Sequence, residues 1–160
     1  MTTRQSALQL ASRAFPEPFQ NFLVDRFARQ LKAELSEKIT DEFLEALLRG
    51  MEWALLLSGS YRRNIDGFFG VCVFRTRDNK VATTAVFADG HMRIEGQARS
   101  TYNVRVTFQD VHALWSFLLS ENQDILDSIL KNTVDVDGNL NYLYRFGFLA
   151  KDLTRRLGVA

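Results

Sequence analysis

The sequence predicts an α+β fold, because stretches of helical apolar period enclose a block of short runs in which apolar residues alternate at every second position. Residues 19–57 and 109–157 carry the helical period, whereas residues 68–108 and the brief run 133–137 carry the alternation. The 160 residues fit one domain of ordinary size. Residues 1–57 read as N-terminal helices, and residues 61–160 as the sheet with its helices and a C-terminal helix. No repeat, linker or low-complexity stretch divides the chain.

Near the start, Phe15-Pro16-Glu17-Pro18-Phe19 holds two prolines, which disfavour helix before them and can open one after them. A short N-terminal helix is therefore expected to end there. From Phe19 to Leu35, the residues Phe22, Leu23, Phe27, Leu31 and Leu35 recur at helical spacing, with Asp25, Arg29 and Lys32 on the other side, so this segment is an amphipathic helix. The next helix has a start signal: Thr40 can cap it, Asp41 and Glu42 suit its positive end, and Ile39 can staple onto Leu44. Its wide stripe of Phe43, Leu44, Leu47, Leu48, Met51 and Leu55 reads as core rather than as a membrane or partner surface.

After Ser58-Gly59-Ser60 the period changes, and three β-rich runs follow, separated by turn chemistry at Asp78-Asn79 and Asp89-Gly90. A meander is the simplest arrangement. Phe68 to Phe74 is apolar on both alternating sets, Phe69, Val71 and Val73 on one side and Phe68, Cys72 and Phe74 on the other, as in a central strand. Lys80 to Phe87 carries small residues at Ala82, Thr83, Thr84 and Ala85, where a packed sheet prefers larger ones, so room is left there. Met92 and Ile94 alternate with Arg93 and Glu95, and Tyr102, Val104, Val106 and Phe108 alternate with Asn103, Arg105 and Thr107. Both runs are half-buried strands. Helical spacing returns over Gln109–Ser120 and Asp124–Lys131. Thr133–Asp137 is a brief strand, Gly138-Asn139 turns the chain, and Leu140–Leu157 forms a last amphipathic helix.

Composition narrows the function. Thirteen Phe stand against four Tyr and two Trp, a bias toward rings that fill an apolar interior and ask for no hydrogen-bond partner. Twenty Lys and Arg balance 19 Asp and Glu, so no positive field exists to hold a nucleic-acid backbone. Local basic groups at Arg62-Arg63, at Arg75, Arg77 and Lys80, and at Arg155-Arg156 read either as solvated surface or as contacts for lipid phosphates. The lone Cys72 excludes an internal disulfide and a multi-thiolate metal site, and fits a reducing compartment. No signal-peptide-like stretch opens the chain, and Glu45, Arg49 and Glu52 interrupt its most apolar helix, so a cytoplasmic location is expected.

Catalytic patterns find little support. Only His91 and His112 are present, and G-x-S-x-G, H-E-x-x-H, G-x-G-x-x-G and G-x-x-x-x-G-K-[ST] are all missing, so no catalytic residue and no cofactor are assigned. Asp135-Val136-Asp137-Gly138 has alternate carboxylates before a glycine, as calcium loops do. With Gly138 at loop position six, however, Thr133 and Tyr144 fall where an acid and a bidentate Glu are required, so no metal is assigned. Asp137 or Asn139 is expected instead to accept backbone N–H bonds at the start of the last helix.

The order of elements from Phe68 to Leu157 resembles the sterol carrier protein 2 (SCP2) domain. The parts that carry the resemblance are the strand Gly67-Phe68-Phe69-Gly70-Val71-Cys72-Val73-Phe74 and the strand Tyr102–Phe108 running into a helix with Leu114, Leu118 and Leu119. The third part is the closing run Val134-Asp135-Val136-Asp137-Gly138-Asn139-Leu140. The resemblance implies a twisted, mostly antiparallel five-stranded sheet covered by helices, with an apolar tunnel between the layers for acyl chains, sterols or similar molecules. It also implies non-catalytic binding or transfer of such lipids, and similarity to bacterial accessory factors of ubiquinone biosynthesis that hold polyprenyl intermediates.

Candidate ligand-lining residues follow from predicted position: Phe69, Val71 and Val73 in the first strand, Val86 and Phe87 in the second, Ile94 in the third, and Trp115, Leu119, Phe146 and Leu149 in the helices. Each also fits plain core packing. The expected partner is a lipid or another hydrophobic small molecule, with peripheral membrane contact and a homodimer or protein complex left open. Two other readings stand beside the carrier. One is a partner-binding module with a filled core, such as an accessory factor in a quinone-biosynthesis complex, docking through Phe19–Leu35. The other is an enzyme acting on lipid-like substrates through the dispersed Tyr61, His91 and Asp135.

Overall fold

In the computed structural model the described residues are Arg29, 43–119 and 124–156. The expected helices before residue 43, the Thr40 cap, the Ile39 staple and Leu157 lie outside them. Five strands form one sheet: β1 (Gly70–Thr76), β2 (Ala82–Ala88), β3 (His91–Glu95), β4 (Val104–Phe108) and β5 (Val134–Gly138), in the order β3-β2-β1-β4-β5. Three neighbouring pairs are antiparallel, and the central β1–β4 pair is parallel. The helices are α1 (Phe43–Leu57), α2 (Gly59–Arg62), α3 (Val111–Leu119), α4 (Ile125–Leu130) and α5 (Leu140–Arg156).

Local chemistry sets each boundary. Ala88 and His91 pair across a two-residue hairpin in which Asp89 (φ 52°) and Gly90 (φ 72°) both take positive φ, the geometry of a type I′ turn. The helical period is expected to end at Ser58-Gly59-Ser60, and α1 does end at Leu57 with Ser58 extended, but the short helix α2 and a 3-10 turn at Arg63–Ile65 follow before the sheet. Ser58 turns out to be an N-cap whose hydroxyl accepts from the Tyr61 N–H at 3.3 Å. Tyr61 and Ile65 then anchor the segment in the core. Its return to the sheet is closed by Phe68 N–H donating to Ile65 C=O at 3.0 Å, which takes Phe68 and Phe69 out of the expected strand and starts β1 at Gly70.

Pairing register divides the side chains between two faces. Cys72, Phe74, Ala85, Phe87, Met92, Ile94, Val104, Val106, Phe108, Val134 and Val136 share the inner face and join the core with residues of α1, α3 and α5. Val71, Val73, Arg75, Ala82, Thr84, Val86, Arg93, Glu95, Arg105, Thr107, Asp135 and Asp137 share the outer face.

The connection from β3 to β4, residues 96–103, carries the chain from one edge of the sheet past β2 and β1. It runs over the outer face, because the outward Thr84 hydroxyl donates to Gln97 C=O at 2.7 Å and accepts from Arg99 N–H at 3.1 Å. Arg99 is held in turn by a two-pronged bond to Glu95. Farther along, Asn103 bonds Val71 through both its backbone N–H and its side-chain oxygen. Thr84 and Val73 are wholly buried on this outer face.

Candidate functional site

The space between the inner face and the helices is where the sequence places a ligand. Its chemistry is apolar: outside Thr76 and Thr83, the described strands offer it hydrocarbon, aromatic rings, the Met92 thioether and the Cys72 thiol. Burial pushes that thiol up to about 12, so it stays uncharged at neutral pH. Tyr61, also buried, donates its hydroxyl to Leu149 C=O at 2.8 Å, and burial raises its pKa far above the usual phenol range. Such a surface recognises a ligand by excluding water and not by charge.

Four of the ten expected lining residues meet there. Phe87 and Ile94 project from the inner face, and Phe146 and Leu149 face them from the buried side of α5. The sheet separates three others, since Val71, Val73 and Val86 leave its outer face and cannot share a wall with Phe146. Phe69 precedes β1 and is 57% exposed. Trp115 and Leu119 lie on α3, with side chains outside the described set. Inner-face residues left off the expected set, Cys72, Phe74, Ala85, Met92, Val104 and Val106, line the same layer. Alternation in β1 offered Cys72 and Phe74 as the second set, and only the pairing shows that this set faces the helices.

The layers are in contact. Phe74 and Phe146 meet as tilted rings with centroids 4.3 Å apart, and Phe87, Phe146 and Leu149 are 0–1% exposed, so they leave almost no surface that a water-sized sphere can reach. Where a tunnel is expected, the described side chains Phe74 and Phe146 are in contact.

One end of the interface is tied by polar groups. Asp152, with its side chain 4% exposed, accepts from Arg155 at 2.7 Å, from Arg156 at 2.9 Å and from Asn64 at 3.1 Å, joining α5 to the turn after α2. Burial alone would raise its carboxyl, but the guanidinium groups of Arg155 and Arg156 outweigh burial and hold it below the usual aspartate range.

The dispersed enzyme candidates stay apart. His91 opens β3 and Asp135 lies in β5, the two edges of the sheet; four strand spacings of roughly 4.8 Å separate them by about 19 Å. Tyr61 is engaged in the core. Asp137 accepts from Tyr102 and Arg105 on the outer face, whereas Asn139 accepts from Asn141 N–H at 2.9 Å and starts α5. Among the described residues, no group of three or more His, Cys, Asp or Glu is placed to hold a metal, and no helix is long and apolar enough to cross a membrane.

No family model and no curated protein matches the chain. Among solved structures it is similar to the UbiJ-SCP2 ubiquinone synthesis protein, at TM-score 0.55 and 16% identity over 70% of this chain and 88% of that one. It is similar also to the sterol carrier protein domain 2 of Helicoverpa armigera, at TM-score 0.51 and 13% identity over 76% of this chain and 94% of that one. A further likeness, at TM-score 0.50 and 17% identity over 62% of this chain, is to the inverting sec-alkylsulfatase Pisa1 from Pseudomonas sp., of whose length this chain spans 16%. At these identities the likeness is one of architecture. The chain has the SCP2 fold, a five-stranded, mostly antiparallel mixed sheet with helices over its inner face.

Proposed function

We propose that this chain is a single-domain, non-catalytic binder or carrier of lipid-like ligands, taking a fatty acyl, sterol-like, polyprenyl or quinone-type molecule between the inner sheet face and α5. The observation that carries the reading is the SCP2 fold shared with a ubiquinone synthesis protein and a sterol carrier protein domain over most of their lengths. The apolar inner face supports it. Each methylene withdrawn from water contributes about 0.8 kcal/mol, so an eight-carbon tail gains roughly 6 kcal/mol before ordering and layer-opening costs. Selectivity is then loose, because no inner-face residue of the described strands is charged.

The contact of Phe74 with Phe146 favours a second reading, a partner-binding module whose interior stays filled. Organic extraction of the purified protein with lipid analysis, joined to native mass spectrometry in the presence of a fluorescent fatty acid, separates the two. A carrier retains a lipid-sized adduct or takes up the acyl probe at unit stoichiometry. A filled module does neither. Hydrolysis of acyl esters that disappears in His91→Ala would overturn the non-catalytic reading.

A further inference from the structure

The outward side of α5 has a composition unlike that of an ordinary solvated helix. Tyr144, Arg145, Phe148, Lys151, Arg155 and Arg156 are all exposed, and Tyr144 and Phe148 leave more than half of their surface to solvent. The one carboxylate within α5, Asp152, is buried beneath Arg155 and Arg156. The α5 segment Leu140–Arg156 itself carries four cations and one acid, a net charge of +3 for the helix. The rings interleave with the cations along the helix. At its first turns the surface is indented by about 640 Å³, between Phe68, Tyr142, Tyr144, Arg145 and Phe148, with the Arg145 guanidinium 5.3 Å from the Phe68 ring centre.

We propose that this side of α5 docks on an anionic lipid bilayer. Exposed rings of this kind settle at the depth of the headgroups, where their apolar bodies leave water. Lys and Arg side chains among them meet lipid phosphates, and the charge balance selects an anionic surface over a neutral one. The occupant is a lipid surface rather than the acyl cargo: docking uses the outside of α5 and cargo binding its inside, so either can fail alone.

Flotation of the intact chain with vesicles tests this, using phosphatidylcholine alone or with about a third phosphatidylglycerol. The chain should float with the anionic vesicles only, and added salt should release it. The pair R145E and K151E should lower partitioning at least about tenfold. Y144S with F148S should lower it comparably. L126S with L130S, which removes an exposed apolar pair from α4, should leave it unchanged. Circular dichroism melts identify any variant that has lost its fold, and since all these side chains are exposed, every variant is expected to melt with the parent. Equal flotation on neutral vesicles, no flotation, or indifference to the α5 variants would overturn the proposal; indifference would assign the α5 side to an acidic protein partner instead. Uptake of a fluorescent fatty acid by R145E/K151E, measured without vesicles, reports on the cargo reading separately.

Discussion

Single residues fix the joints of this fold. Gly138 closes β5 at φ 108°, and a Cβ there would lie 2.3 Å from the Asn103 carbonyl oxygen, which is backbone and cannot swing aside. Gly138→Ala is therefore expected to cost more than about 2 kcal/mol, read as a lower midpoint in urea with an unchanged slope. Asp152 carries a pH-dependent share of stability. Its folded pKa is depressed, so its contribution is complete above the ordinary aspartate range and is lost as pH falls through the folded value. Asp152→Asn is expected to destabilise the protein by roughly 1–3 kcal/mol at neutral pH, because three donors lose an anionic acceptor. The gap between variant and parent should then narrow as denaturation is measured from about pH 5 down to about pH 3. A constant gap would show that packing, not charge, is what Asp152 supplies.

At the scale of elements, the meeting of α5 with β1 decides between a carrier and a filled module. Phe146 lies against Phe74 with no accessible surface, so Phe146→Ala should cost about 3–5 kcal/mol in thermal or chemical unfolding. In a carrier the vacated space adds to the ligand's, and the variant should take up a fluorescent fatty acid more tightly than the parent, a gain that a filled module cannot show. Cys72 reports the same opening from the sheet side. Burial and its raised pKa make it inert to maleimide while the layers touch, so labelling proceeds only through their separation, and bound lipid should slow it severalfold.

These elements also show what was legible from residue order. Strands β1 to β5 and helices α1, α3, α4 and α5 follow from apolar periods, and the Asp89-Gly90 hairpin from its turn chemistry. Ser58-Gly59-Ser60 marked the end of α1 but hid α2, because a serine that follows one helix can cap the next by geometry. The candidate site was half legible for a related reason. β1 is apolar on both faces, so alternation shows two sides without saying which meets the helices. The answer comes from long-range pairing, and because Val73 and Thr84 are wholly buried on the outer face as well, that face looks like core.

For the whole molecule, the parallel β1–β4 pair at the centre of the sheet is the joint that holds its two halves together. It unites a meander of β1, β2 and β3 with a later unit of β4, α3, α4, β5 and α5. On the ribosome, the meander therefore emerges with one side of β1 bare, its backbone donors and acceptors waiting until residues 104–108 leave the exit tunnel. Nascent chains arrested with residues up to Gln97 outside the tunnel should aggregate or recruit chaperones, whereas those arrested with Phe108 outside as well have the means to seal that edge themselves.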